Sequence, residues 1–526
     1  MNIYVVGIGI SFVLYIIFGA IISSRVKNAN DFYVAGRKAP VILIAGSMIA
    51  SYVSTGMFMG DAGEYYSGLF SPMTILATMQ VVGYLYGAVM FGRYLRRSEV
   101  YTIPEFFGKR FCSPTIHRLA TITSIITMTV YLLSVVQGVG TLMHTVTELD
   151  YSVCVAACVI VFAFITIISG ASGVLITDTL MFGVFTLALV AGTIFITVKA
   201  GGWNYVVEQL SVFEIENLLS WSGNLDYMYS SGAENIIWGL VYGVVWMSVC
   251  MVGPWQSSRY LMAKNEHVVI RSALYSAFGI FILQLLLGMS AVTVNLFKPE
   301  LESASQVMIW ASMNILPLVF GVVLLTGVVA AGVSSATTFL SLIGTSVAYD
   351  VLKNKGKPVL NGRIAMIAVS VVILLLAIFN PPQIFWIMFF GGAIVASSWM
   401  PVAVASIMSK RVTKTGAFCG MLTGFVVCFV LKLLFNILGI TVPAYLDPTV
   451  IGIVSNVIAM IIGSLLTKVT DEERDAREAL FVIPECEKEP KEIKKTVNHL
   501  KMFIVLGLVV MAILLAVWGI PVEIFN

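Results

Sequence analysis

Residues 41–63 read VILIAGSMIASYVSTGMFMGDAG, and residues 239–261 read GLVYGVVWMSVCMVGPWQSSRYL. Both stretches are apolar enough to lie in hydrocarbon, yet both carry features a plain lipid-facing helix has no use for. In the first, Ser51, Tyr52, Ser54, Thr55 and Gly56 fall near the middle. In the second, Pro254 withholds an amide hydrogen from Cys250, and Gly253 eases the bend. A backbone group freed inside a membrane must find its partner within the protein, so each stretch predicts a helix broken at mid-depth.

Roughly fourteen apolar stretches surround and include these two, near residues 3–23, 41–69, 72–95, 118–146, 152–169, 175–199, 233–262, 272–297, 316–351, 363–380, 383–409, 416–440, 449–467 and 502–520. Most approach the roughly 20 residues a helix needs to span a bilayer. With 59% hydrophobic and 11% charged residues in a chain of 526, a single soluble core could not be given a water-compatible surface. The fold class is an all-α polytopic membrane protein.

Counting Lys and Arg in alternate gaps places all but three of the 31 on one side, the exceptions being Lys199, Lys298 and Lys432. That side is cytoplasmic by the positive-inside rule, which puts both termini outside the cell (plasma or inner) membrane. Arg25 and Lys27 follow the first apolar run rather than precede it, so the run reads as a retained helix, not a cleaved signal peptide. A net charge of +3 is then an imprint of topology and not of nucleic-acid binding.

The broken stretches run in opposite directions through the bilayer and open two successive groups of five spans. This is the sequence pointer to an inverted-repeat carrier with a central site. The expected organisation is a first helix and linker (1–40), a first repeat (41–200), an outer loop with a second repeat (201–410), and peripheral helices (411–526) with a connector at 468–501. The outer loop carries Glu208, Glu214, Glu216 and Asp226 and is expected to form short amphipathic pieces. The connector mixes acids and bases and reads as solvated. Seven cysteines show no paired CxxC spacing, so neither disulfides nor a metal cluster are expected.

In the ninth span, AAGVSSATTFL, Ala331, Ser334 and Ser335 stand at i, i+3 and i+4 on one helical face. Two hydroxyls and a carbonyl, joined by carbonyls from a broken neighbour, make the hard neutral oxygen cage that suits sodium. Ser and Thr in membrane helices often only bond back to their own backbone. Joint occurrence with the two breaks, in order and depth, favours the cage.

Taken together, DFYVAGR (31–37), TIPEFFGKRF (102–111), GASGVLITD (170–178), SSRYLMA (257–263) and AAGVSS (330–335) give the chain its resemblance to the sodium:solute symporter family, which includes sodium/glucose, sodium/proline, sodium/pantothenate and sodium/sialic acid carriers. The resemblance spans residues 1–470 approximately. It implies a five-plus-five inverted-repeat, LeuT-like core. Matched residue by residue, it implies sodium held by the carbonyls of Ala50, Val53 and Ala331 and the hydroxyls of Ser334 and Ser335. A second sodium, as in some sialic acid carriers, would fall on Asp178, Ser334, Thr337 and Thr338, making one or two ions per cycle. The alternative for Asp178 is a helix cap.

Solute would lie beside the sodium, against Ser54, Met57, Gln80, Trp255, Gln256 and Ser397, with Trp399 a further candidate. Trp255 is expected as an inner aromatic gate, the alternative being an interfacial anchor. Gly56 and Met57 replace the polar pair of the family's sugar carriers, which argues against a hexose. No basic residue is expected at mid-depth in the central spans, and Lys432 is expected to snorkel. Asp61 and Glu64 either attract a cationic or zwitterionic solute or merely mark the helix mouth.

The function so implied is sodium-coupled symport of an amino acid, monocarboxylate or similar solute by a carrier monomeric in function. A quaternary amine, pantothenate or a sugar is the alternative cargo. An enzyme is not expected, because His117, His144, His267 and His499 lie at span ends or in loops with no carboxylate at ligand spacing. A channel or a membrane sensor is the alternative from another class.

Overall fold

The computed structural model describes residues 3–23, 29–211, 218–225, 227, 231–353, 358–379 and 382–525. Arg25, Lys27, Lys355, Lys357, Glu214, Glu216 and Asp226 lie outside the described residues. The principal helices are α1 (Ile3–Ser23), α2 (Val41–Tyr52) and α3 (Gly56–Tyr66), α4 (Phe70–Arg97), α5 (Pro114–Thr147), α6 (Tyr151–Lys199), and α7 (Gly232–Val252) with α8 (Pro254–Met262). They continue as α9 (Glu266–Leu296), α10 (Leu318–Val351), α11 (Val359–Phe379), α12 (Ile384–Met408), α13 (Lys414–Leu438), α14 (Pro448–Leu465) and α15 (Pro490–Ile524). Among the described residues, twelve helices are long and apolar enough to cross a membrane, thirteen once the bent pair α2–α3 is counted. With α1 added, the count agrees with the fourteen spans read from hydropathy.

The 49 residues of α6 hold the two spans expected near 152–169 and 175–199. Straight, it would measure about 73 Å, more than twice the roughly 30 Å of hydrocarbon. It crosses twice, as Tyr151–Ile168 and Gly173–Lys199. The contacts show the reversal. His117 of α5 meets Asp350 at the far end of α10 at 2.8 Å, which makes those helices antiparallel. Tyr151 then packs on His144 near the opposite end of α5, and Lys199 Nζ donates to the carbonyl of Ile315, just before α10, at 3.0 Å. Both ends of α6 therefore lie on one side.

The two broken helices run oppositely. Ala39, just before α2, donates its N–H to Met262 O at 3.1 Å, and Lys264 N–H donates to Ala39 O at 3.2 Å. The start of one pair thus shares a face with the end of the other. Between α2 and α3 the axis bends by 49°. At the second break, Gly253 has φ −56° and ψ 134°, outside the helical basin. A Cβ there would stand 2.5 Å from Val249 O, so only glycine allows the chain to fold back over its own carbonyl.

The core sits where the broken helices cross. Trp246, Trp255, Tyr84, Tyr131 and Tyr242 are all fully buried there. The flanking helices α11, α13 and α15 instead expose large apolar side chains such as Leu375, Ile437 and Leu508, as lipid contact requires. Lys432 of α13 reaches Asp447 at 3.3 Å and lies 4.1 Å from the Phe389 ring centroid.

The connector departs from expectation. Thr470 and Glu473 form a capping box that starts the helix Asp471–Ala479, and Glu473 is buried. Arg110 Nη1 donates to Glu473 O at 3.1 Å, Arg97 pairs with Glu266 and Glu487, and Arg271 pairs with Glu492. The reason is electrostatic. Arginines counted as loop charges are buried at helix ends, and the connector supplies Glu487 to Arg97, Glu492 to Arg271 and a backbone carbonyl to Arg110. Burial also pushes the Arg110 guanidinium down to about 10, so it still carries its charge at neutral pH.

Candidate cation and solute site

Ending α2 at Tyr52 deprives its last carbonyls, Ala50 among them, of in-helix partners. Val53 follows with ψ 93° and is turned out of the helix, and the backbone bonds resume with Phe58 N–H to Ser54 O at 3.1 Å. Thr55, next along, is clasped by two glycines. A Cβ on Gly138 of α5 would stand 2.6 Å from Thr55 Cβ, and one on Gly332 of α10 would stand 3.0 Å from Thr55 Cγ2. The break is thereby pressed onto the turn of α10 that carries Ala331, Ser334 and Ser335.

Ala50, Val53, Ala331, Ser334 and Ser335 are all fully buried. Ser335 Oγ has no hydrogen-bond partner among the described residues. An unsatisfied buried hydroxyl costs about 1–3 kcal/mol, and a cation contacting its oxygen removes that cost. Ser334 Oγ donates to Asp178 Oδ1 at 2.7 Å, which spends its proton and leaves its lone pairs directed elsewhere.

Asp178 lies inside α6, not at a helix start, so it caps nothing. Its Oδ2 accepts from Ser47 Oγ at 2.6 Å and from Arg259 Nη2 at 3.0 Å. Arg259 also donates to Ser47 Oγ at 3.0 Å and to Thr338 Oγ1 at 2.6 Å. This corrects the expectation that no basic residue reaches the central spans. Arg259 is 2% exposed, and a carboxylate so deeply buried requires such a partner. Of the residues implied for a second sodium, Asp178, Ser334 and Thr338 come together around this guanidinium, whereas the Thr337 hydroxyl bonds back to Ser334 O at 3.0 Å.

The solute candidates mostly converge. Ser54 Oγ lies 3.4 Å from the Tyr131 hydroxyl, and Met57 is buried beside it. Gln80 donates to the Tyr52 hydroxyl. Gln256 accepts from the Tyr84 hydroxyl at 2.8 Å and donates to Ser51 Oγ at 3.3 Å. Trp255 is fully buried, 5.0 Å from Tyr131 and 5.2 Å from Phe339 by ring centroids, so it is no interfacial anchor. Ser397 is not brought in. Its hydroxyl bonds back to Ala393 O at 2.8 Å, and its backbone carbonyl accepts from Asn456 of α14 at 2.8 Å. Trp399 likewise points away, donating to Thr123 Oγ1 at 2.9 Å.

The residues the sequence reading missed are Ser47, Arg259, Gln284 and the aromatic set Tyr52, Tyr131, Tyr242 and Trp246. Gln284 had a signal, a lone amide in the run IFILQLLLG. His117 meets a carboxylate, Asp350, from 233 residues away, a contact that no sequence spacing shows. Thr102 Oγ1 donates to the same Asp350 oxygen at 2.6 Å, at the far end of α10 and apart from the Ser334–Asp178 cluster.

The chain matches the sodium:solute symporter family over residues 32–424. It is 24% identical to the sodium/proline symporter of Salmonella typhimurium over 446 residues, covering 79% of this chain and 85% of that one. Against the sodium/pantothenate symporter of Escherichia coli the identity is 22%, covering 80% and 89%. Among solved structures it is similar to a substrate-bound, outward-open sodium-coupled sialic acid symporter, with a TM-score of 0.73 at 16% identity over 90% of this chain and 99% of that one. A nucleobase-cation-symport-1 family transporter in a closed conformation gives a TM-score of 0.57 at 10% identity, over 86% and 99%.

Proposed function

The chain belongs to the sodium:solute symporter family, and from that premise we propose how its geometry couples a solute to sodium. The protein is a multi-pass membrane carrier that moves a small organic solute together with sodium. The coupling ion sits between the break and α10, held by the carbonyls of Ala50, Val53 and Ala331 and the hydroxyls of Ser334 and Ser335. One observation carries this assignment: a fully buried hydroxyl, Ser335, with no partner among the described residues, on the helix turn against which the break is packed.

Asp178 acts from behind. By accepting the Ser334 hydroxyl hydrogen it leaves that oxygen's lone pairs to face the ion. Arg259 already neutralises Asp178, so a second sodium there would have to displace a buried guanidinium. We therefore assign one sodium per cycle.

Sodium entering from outside ties α2–α3 to α10 and stabilises the outward-open state. The membrane potential contributes about 2.3 kcal/mol per charge per 100 mV. Solute, seated against Ser54, Met57, Gln80 and Gln256 above Trp255, closes the outer path. Loss of sodium to the cytoplasm then frees the break from α10 and opens the inner path. Whatever factor sodium adds to solute affinity, solute must add to sodium affinity. The carrier works as a monomer in the cell membrane with both termini outside.

Uptake into proteoliposomes with and without an inward sodium gradient tests this reading. Amino acids, monocarboxylates, pantothenate, quaternary amines and sugars form the panel. Accumulation above equilibrium only with the gradient is the expected result, and gradient-independent uptake contradicts it.

A further inference from the structure

Asp61 and Glu64, one turn apart on α3, are 2% and 5% exposed. Asp61 Oδ2 accepts from Gln284 Nε2 of α9 at 2.9 Å, and Glu64 Oε1 accepts from the Tyr227 hydroxyl at 3.3 Å. The remaining oxygens, Asp61 Oδ1, Gln284 Oε1 and Glu64 Oε2, are buried without a partner among the described residues. Asp178 is matched by Arg259, and Glu266 and Glu487 by Arg97, while Asp350 meets the His117 ring. Among the described residues no basic side chain bridges Asp61 or Glu64.

A buried carboxylate with no countercharge is costly, so this position takes up either a proton or a cation that the fold does not supply. The surroundings say which kind. Around Trp246 stand Tyr52, Tyr131 and Tyr242, with ring centroids 5.3, 6.0 and 6.3 Å away, and Gly60, next to Asp61, packs on Phe385, whose ring lies 5.0 Å from Tyr242. A small hard ion would want a complete shell of oxygens. Few oxygens and several aromatic faces suit an alkylated or protonated nitrogen, which takes one carboxylate and fills the rest of its surface with rings.

Resting on the symport reading above, we propose that the solute is recognised by a positively charged nitrogen held between Asp61, Gln284 and the faces of Tyr52, Tyr131, Tyr242 and Trp246. Glu64, nearer the mouth, draws such solutes inward. Among the cargoes compatible with the family, this selects amino acids and quaternary amines and rejects plain monocarboxylates, pantothenate and sugars.

The test is ligand-induced thermal stabilisation of the purified full-length carrier in sodium buffer. The probes are the common amino acids, choline, glycine betaine, lactate, pantothenate and galactose. At least one ammonium-bearing probe is expected to stabilise the protein, and lactate, pantothenate and galactose are expected not to. Asp61→Asn should weaken that probe's binding at least about tenfold, the loss of one charge-assisted contact. Gln284→Ala, which keeps the carboxylate, should weaken it by a smaller factor and covers the case in which Asp61→Asn misfolds. Sodium titration without solute should be unaltered in both variants. Stabilisation by lactate, pantothenate or galactose overturns the proposal, as does no response to any ammonium-bearing probe, or wild-type affinity in both variants. A raised sodium requirement without solute would show that the cation at Asp61 is sodium, which also overturns it. Failure of sodium itself to bind the wild-type protein would strike the symport reading instead.

Discussion

Arg259 and Asp178, 81 residues apart in the chain, meet at 3.0 Å in an ion pair whose side chains are 2% and 0% exposed. The pair joins α8 of the second repeat to α6 of the first, and it shares Ser47 of α2 and Thr338 of α10. It therefore lies where the elements proposed to move meet those proposed to hold sodium.

Breaking a buried pair by removing one partner costs about 3–5 kcal/mol, mostly because the other charge is left alone. Arg259→Met is accordingly expected to lower thermal stability in detergent by a large margin. The double variant Arg259→Met/Asp178→Asn should recover most of that stability while its sodium requirement is raised, since an amide oxygen holds the Ser334 hydroxyl hydrogen more weakly than a carboxylate does. A double variant as unstable as the single one would show that the pair does not account for the loss.

Close packing of the break on α10 depends on the missing side chain of Gly332. A methyl there would stand 2.3 Å from Val139 Cγ2 and 3.0 Å from Thr55 Cγ2. Overpacking of this kind costs about 1–3 kcal/mol, and here it is spent on separating the two halves of the cation cage. Gly332→Ala should depress uptake and raise the half-saturating sodium concentration. Gly9→Ala, where a Cβ meets nothing within 4 Å, should leave both at wild-type values.

Trp255 seals the space below the solute against Tyr131 and Phe339. Trp255→Ala removes a buried indole, a loss on the order of 3–5 kcal/mol in a core, and is expected to let sodium leak without solute. Trp255→Phe keeps most of the ring contact and should stay coupled. Solute-free sodium currents across planar bilayers measure the difference.

The connector should be protected while it is docked. Each charge-assisted bond to Arg97 or Arg271 is worth about 1.5–3 kcal/mol. Arg97→Ala/Arg271→Ala is therefore expected to speed tryptic cleavage at Arg474, Arg477 and Lys488 by at least about tenfold. Cleavage at the wild-type rate would mean that the segment is held by other contacts.

Much of the architecture was legible in the sequence because lipid imposes it. Spans, breaks and their order follow from hydropathy and from the misplaced Gly253–Pro254 and Ser54–Thr55, and the serines of α10 follow from helical spacing. What escaped was pairing at long range. Arg259 and Arg271 were counted as loop charges, because the positive-inside count takes no account of which arginines fold back into the protein. Asp178 was left between a sodium ligand and a helix cap, because nothing in the local sequence shows Arg259 and Ser47 closing on it from other helices. Ser397 was read as central, since position along a span does not show which face meets Asn456. The connector, rich in both signs of charge, resembled a solvated linker until the buried arginines that hold it were seen.

The claim that one sodium ion bridges the break at Ala50 and Val53 to Ser334 and Ser335 is tested most directly by the sodium dependence of uptake in Ser335→Ala. That hydroxyl has no hydrogen-bond partner among the described residues, so its loss breaks no bond seen there and removes the ion contact. The account predicts a half-saturating sodium concentration raised at least about tenfold, with the maximal rate regained at high sodium. A sodium titration superimposable on the wild type would contradict it.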